Sequence, residues 1–277
     1  MSLLIKREKS TAELKVEKNL IPVGNGTAIQ ALLYTPKDIG ENAPCLVYYH
    51  GGGFVLPAAP YHFKLAREYA HAAGCKVLFV NYRLAPKHPF PTAPEDCYAT
   101  YSWLIDHAEE LSVDSSRIAV AGDSAGGQLA TVVCLMAKDR NYIMPCAQML
   151  LYPAAGNVET DSAKKYTDTP MCNSRDMEKY GKFYRPDLSV GNPVYASPIE
   201  AESLEGLPVT YLETAEFDPL RDGGILYAER LRQCGVSVEL HNTEGTIHGF
   251  DIVISSPIVR ECMQRRIAFL RQSFHLE

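Results

Sequence analysis

Basic residues are not in excess, long apolar runs are missing, and no two cysteines form a C-x-x-C pair. Each absence removes a class of function. Lys and Arg number 27 against 33 Asp and Glu, a net charge of -6, so the 277-residue chain offers no footprint for nucleic acid or an anionic membrane surface. Nothing approaches the roughly 18 consecutive apolar residues of a membrane span. The opening stretch, Met1-Ser2-Leu3-Leu4-Ile5-Lys6-Arg7, is too short in apolar residues for a secretory signal, which makes the cytoplasm the expected compartment. The eight cysteines (Cys45, Cys75, Cys97, Cys134, Cys146, Cys172, Cys234, Cys262) are scattered. That argues against a zinc site or a disulfide framework and for buried free thiols. Internal repeats and low-complexity tracts are absent too.

What is present reads as one large α/β domain over residues 1–277, with 46% apolar and 22% charged residues. Residues 10–35 predict a β-hairpin turning at Gly24-Asn25-Gly26. Cys45-Leu46-Val47-Tyr48-Tyr49 and Lys76-Val77-Leu78-Phe79-Val80 are near-continuous apolar runs, the pattern of strands covered on both faces. Helices are expected over 61–73, 93–111, 125–138, 223–234 and 258–274, alternating with strands at 117–121, 147–152, 208–213 and 236–241. Such alternation implies a mostly parallel sheet with helices on both faces and ligands at the carboxyl ends of the strands. Residues 154–207 break the pattern. They are polar and turn-rich, and a stretch of this length predicts a cap insertion over a site. Its Tyr166, Met171, Met177, Tyr180, Phe183, Tyr184 and Tyr195 are expected to pack the cap's own core rather than line a pocket.

The chemistry centres on Gly122-Asp123-Ser124-Ala125-Gly126-Gly127. A strand passing into a helix through G-x-S-x-G is a nucleophile elbow, which strains the Ser backbone and exposes its hydroxyl at a helix N-terminus. His50-Gly51-Gly52-Gly53 directly follows a buried strand, and three glycines leave backbone N–H groups unobstructed. Loops of the HGGG type complete oxyanion holes in lipases and esterases. A general base beyond Ser124, preceded by an acid, points to His248 in Thr246-Ile247-His248-Gly249-Phe250, with His241 as runner-up. His50 is expected to fix its own loop, while His62, His71, His88, His107 and His275 lack supporting context. For the acid, Asp218 precedes Pro219 in an extended loop position. Glu216 is weaker, and Asp222 is expected to cap the following helix.

Taken together, these motifs with Tyr82-Arg83-Leu84-Ala85-Pro86, His88-Pro89-Phe90-Pro91, Asp218-Pro219-Leu220-Arg221-Asp222 and His248-Gly249-Phe250 closely resemble the hormone-sensitive lipase family of α/β-hydrolases, the bacterial family IV esterases. The resemblance runs from about residue 30 to 274. It implies an α/β-hydrolase fold with Ser124 as nucleophile, His248 as base and Asp218 as its orienting acid. It also implies an oxyanion hole from the N–H groups of Gly52, Gly53 and Ala125, with residues 82–91 as a structural loop. The expected activity is a serine carboxylesterase acting on short acyl esters, with a small-molecule ester as substrate and no metal or organic cofactor. Family members usually carry a helical N-terminal cap segment. Here only 49 residues precede His50, so the expectation is a more open pocket or one covered by a second copy of the chain in a homodimer. An amide or formamide hydrolase is the alternative, although Gly53-Phe54-Val55 fits the arylformamidase pattern poorly. A non-catalytic receptor of the same fold is disfavoured by the presence of His248 with Asp218.

Overall fold

Apolar strand-forming runs separated by amphipathic segments build a three-layer arrangement in the computed structural model, which describes residues 8–187 and 189–276. The sheet has eight strands in the order β1-β2-β4-β3-β5-β6-β7-β8. The first two, β1 (Leu14–Pro22) and β2 (Ala28–Pro36), form the expected antiparallel hairpin, closed by Thr27 N donating to Gly24 O at 2.9 Å. β2 pairs antiparallel with β4 (Lys76–Asn81), and from there the sheet is parallel through β3 (Ala43–Tyr49), β5 (Val113–Asp123), β6 (Ala147–Leu151), β7 (Val209–Phe217) and β8 (Val238–Ile247). Every residue of β3 and of β6 is buried, as their largely apolar composition favours; the side-chain amide of Gln148 donates to Thr210 Oγ1 at 2.9 Å.

Helices cover both faces. α1 (Pro60–Ala72) and α8 (Pro257–Ser273) pack one side through Leu65, Tyr69, Phe269 and Leu270. α2 (Thr92–Asp106), α3 (Ala125–Asp139) and α7 (Arg221–Gln233) pack the other through Leu104, Leu129, Val132 and Leu231. α3 is buried from Ala125 through Ala137, which is why its sequence is apolar on nearly every side.

Boundaries differ from the sequence expectation in physically informative ways. α2 ends at Asp106 rather than 111, and the chain turns back through Val113 N donating to Ala108 O at 2.7 Å. β7 and β8 run on beyond 213 and 241, because their ladder continues past a bulge between Ala215 and Phe217. Between β6 and β7 lie α4 (Asp161–Lys165), α5 (Ser174–Tyr184) and α6 (Pro193–Ala196), followed by a 3-10 turn at Pro198–Glu200. This segment closes at its neck: Ile199 N donates to Ala155 O at 2.9 Å and Asn157 N to Ser197 Oγ at 3.0 Å. Residues 1–7, on which the expectation about a leader rests, lie outside the described residues. Among the described residues no helix is long and apolar enough to cross a membrane.

Candidate active site

β5 delivers Ser124 to the turn before α3 at φ 55°, ψ -120°, a left-handed backbone that a β-carbon-bearing residue adopts only when its surroundings force it. The flanking glycines permit the close approach that holds it, and Ser124 N donates to Leu151 O at 2.8 Å. A Cβ on Gly122 would overlap the backbone of Gly126, and one on Gly126 would overlap the Tyr49 carbonyl of β3. Strand and helix can therefore meet here only without side chains. The Ser124 carbonyl accepts from Gln128 N at 3.2 Å and from Ala154 N at 3.1 Å, so the turn is held from both sides.

The three residues singled out for the triad converge at the carboxyl ends of β5, β7 and β8. Ser124 Oγ lies 2.8 Å from His248 Nε2, and His248 Nδ1 lies 2.7 Å from Asp218 Oδ2. A carboxylate only accepts, so Nδ1 carries the imidazole proton and Nε2 is left to accept from the serine hydroxyl. Asp218 is fully buried, and its other oxygen accepts from Leu220 N at 2.9 Å. Burial alone would lower the basicity of His248; the charge of Asp218 and the hydrogen bond to it outweigh that and hold its pKa above the ordinary imidazole value. Tyr152 packs against the imidazole at a steep angle, with ring centroids 5.0 Å apart.

The triglycine loop lies beside Ser124. Gly52 and Gly53 have φ of 122° and 59°, and the turn is closed by Leu56 N donating to Gly52 O at 2.8 Å. Among the described residues no group accepts from the amides of Gly52, Gly53 or Ala125. The loop is tied to the elbow by Asp123, which is buried and accepts from Gly51 N at 3.0 Å and Tyr48 Oη at 2.8 Å. His62 Nε2 lies 3.1 Å from the same carboxylate. Burial opposes ionisation of Asp123, yet His62 and the hydrogen bonds prevail and hold its pKa at about 2. His62 thus has a partner that the sequence did not reveal. His50 fixes its loop as expected: its ring stacks on Tyr82 at 4.5 Å and Nδ1 donates to Gly51 O at 2.7 Å. Burial, aided by His62, pushes its pKa down to about 4, so it stays neutral. Residues 82–91 brace the site from outside, with Tyr82 Oη donating to His50 O at 2.6 Å and Arg83 gripping Asp96 at 2.6 Å.

The alternatives lie elsewhere. His241 sits within β8 and pairs with Glu239 at 2.7 Å, and Glu216 accepts from Gly245 N at 2.7 Å. Asp222 does not cap α7, whose N-cap is Leu220; it accepts from Ser162 N at 2.7 Å and so binds α4 to α7. A cavity of about 1240 Å³ spans the space between the triad and the β6–β7 segment, reaching Ser124, Gly52, Gly53 and His248. Met171, Met177, Tyr180 and Tyr184 line it, contrary to the expectation that these side chains pack only among themselves. The cause is that α5 has only Tyr184 fully buried, while Met177 and Tyr180 are half-buried and turned to the cavity. Tyr184 stacks on Phe54 at 3.8 Å, and the Tyr180 ring sits where a Cβ on Gly53 would come within 2.5 Å of it.

Beneath His248 lies a buried ionic cluster that sequence reasoning missed. Arg266 of α8, Glu213 of β7 and Asp251 are all 0% exposed. The guanidinium donates to Glu213 Oε1 at 2.5 Å and to Asp251 Oδ1 at 3.0 Å, while Tyr152 Oη donates to Asp251 Oδ2 at 2.7 Å. Burial holds the Asp251 carboxyl above the usual range, with the Arg266 charge only partly offsetting it. The cluster ties the loop carrying His248 to the strand leading to Asp218.

Comparison with known proteins bears on the fold and the family. Carboxylesterase NlhH of Mycobacterium tuberculosis is 37% identical over 269 residues, covering 95% of this chain and 84% of the relative. The structure of a thermostable esterase from Pseudomonas putida ECU1011 superposes with a TM-score of 0.90 at 33% identity, covering 96% of this chain and 85% of the other. A bacterial heroin esterase superposes with a TM-score of 0.91 at 36% identity, covering 98% and 88%. With residues 46–252 matching the α/β hydrolase fold family and relatives of this kind along nearly its whole length, the chain belongs to that family, in the hormone-sensitive-lipase-like branch of carboxylesterases.

Proposed function

We propose that this carboxylic ester hydrolase cleaves short-chain acyl esters through a covalent acyl-enzyme on Ser124. The observation that carries the reading is the unbroken line from Ser124 Oγ through His248 to Asp218, at 2.8 and 2.7 Å, beside three amides without an acceptor. In this mechanism His248 Nε2 takes the serine proton as Oγ attacks the ester carbonyl, and Asp218 steadies the imidazolium that forms. The amides of Gly52, Gly53 and Ala125 receive the charge growing on the carbonyl oxygen; one such donor is typically worth about 2.7–4 kcal/mol in kcat. His248 then protonates the departing alcohol, and water repeats the sequence on the acyl-enzyme. No step calls for a metal or an organic cofactor. Residues 154–207 act as the cap.

Short acyl groups are favoured by the rim of the cavity. Glu159, Lys164, Glu178 and Lys182 line its outer part and are strongly exposed. An alkyl tail long enough to reach them would lie in water and gain no burial energy. Hydrolysis of p-nitrophenyl acetate, butyrate and decanoate, beside a matched anilide and with Ser124→Ala as control, tests the reading. Turnover is expected to peak at acetate or butyrate and to vanish in the variant. A preference for decanoate or for the anilide, or a Ser124→Ala variant that retains turnover, would overturn it.

A further inference from the structure

One more side chain with a metal-binding atom reaches Asp218 and His248, its thiol pKa pushed up by burial and by the Asp218 charge. Cys172 lies between α4 and α5 in a clasped turn, its carbonyl accepting from Thr169 Oγ1 at 2.7 Å and its N–H donating to Pro170 O at 2.8 Å. It is half-buried, carries a free thiol and lines the same cavity as Ser124 and His248. Its Sγ, a carboxylate oxygen of Asp218 and a ring nitrogen of His248 all lie within 4.8 Å of one another. Thiolate, imidazole and carboxylate together are the donors that Zn²⁺ and Cd²⁺ select, at about 2.0–2.3 Å from the ion. Donors on one tetrahedral ion stand roughly 3.5 Å apart by those lengths, so small side-chain movements close the set around an ion.

We propose that Cys172, Asp218 and His248 form an inhibitory site for thiophilic divalent cations, with the ion entering between His248 Nδ1 and Asp218 and held from the cap side by Cys172. The thiol releases its proton to solvent and bonds to the ion as thiolate. The imidazole stays neutral but moves its single proton from Nδ1 to Nε2, giving the Nδ1 lone pair to the ion. Nε2 then donates instead of accepting, so it cannot take the proton of Ser124. The fourth position on the ion is left to water. Hard cations such as Ca²⁺ and Mg²⁺ prefer all-oxygen sets of six or more ligands, which three mixed donors do not supply. The loss of activity rests on the role proposed for His248; the binding of the ion does not.

The test titrates Zn²⁺ and Cd²⁺ into p-nitrophenyl butyrate hydrolysis by the full chain in chelator-free buffer, with each variant normalised to its own uninhibited rate. Expected is inhibition reversed by EDTA, with the half-inhibiting concentration raised at least roughly tenfold in Cys172→Ala, since a weaker perturbation beyond the ligands already costs 10–100-fold in affinity. Cys172→Ser, which keeps the side-chain size, serves if the alanine variant does not fold. Equal inhibition with and without Cys172, or inhibition matched by Mg²⁺, would overturn the proposal. A second readout is the ultraviolet thiolate-to-Cd²⁺ charge-transfer band, measured in Ser124→Ala and in Ser124→Ala combined with Cys172→Ser. A band that persists without Cys172, or never forms with it, also overturns the site. If the wild type forms the band yet hydrolyses no ester, the proposed function fails while the site stands.

Discussion

Replacing Arg266 by Met removes the single cation that Glu213 and Asp251 share in a region from which solvent is excluded. The stem of the side chain is roughly preserved, so the loss is electrostatic rather than a cavity. Breaking a buried ion pair by deleting one partner costs about 3–5 kcal/mol, because the remaining charge is stranded. Here two carboxylates are stranded beside each other, which puts the cost at the upper end of that range, against a typical domain stability of about 5–15 kcal/mol. Without the guanidinium both carboxyl groups have folded-state pKa values raised above the unfolded carboxylate range of about 4. A raised carboxyl weakens the folded state above the unfolded pKa, and the penalty shrinks as pH falls and the group is protonated in both states. Urea unfolding of wild type and Arg266→Met at pH 5 and pH 8 is therefore expected to show the larger deficit at pH 8. Adding Glu213→Gln and Asp251→Asn to Arg266→Met should recover most of it. A deficit below about 1 kcal/mol, or one equal at both pH values, would refute the assignment of Arg266 as the cation that holds both carboxyl groups in the interior.

Three further outcomes are expected. Because Asp218 holds His248 above the ordinary imidazole pKa of 6.5, kcat/KM should fall on acidification with an apparent pKa above that value, and a profile flat from pH 5 to 9 would exclude His248 as base. Asp123→Ala removes the acceptor of Gly51 N and Tyr48 Oη, so kcat should drop roughly 10- to 100-fold through a loosened glycine loop while KM changes little, as steady-state kinetics would read. Gly126→Ala forces a methyl group into the Tyr49 carbonyl, and thermal unfolding should show a loss of about 2 kcal/mol or more together with lost turnover.

The sheet and its helices were largely legible because the central strands carry their own apolar signal and strands and helices alternate along the chain. The three residues proposed as a triad were legible for a different reason: Ser124, Asp218 and His248 each follow a strand directly, so parallel topology brings them to one end of the sheet. Contacts made by isolated polar residues across long separations were not. Arg266 reads locally as part of a solvated helix face, and only the pairing of α8 against β7 buries it on Glu213, 53 residues earlier. His62 and Cys172 were opaque in the same way, since nothing near either in sequence mentions Asp123 or Asp218. The lining role of Tyr180 and Tyr184 depended on how α5 docks, which periodicity does not encode.

The neck that joins Ala155 to Ile199 and Asn157 to Ser197 has a consequence for how such a chain can diversify. Everything between those contacts leaves the sheet and returns to it at one gate, so it behaves as a cartridge seated in a fixed socket. Its length and composition can be exchanged without disturbing the register of β6 on β7, provided the contacts it makes beyond the neck, Ser162 with Asp222 and Tyr184 with Phe54, are kept or replaced. Substrate range can therefore drift quickly on one side of the gate, while the reacting groups on the other side stay where the strands put them.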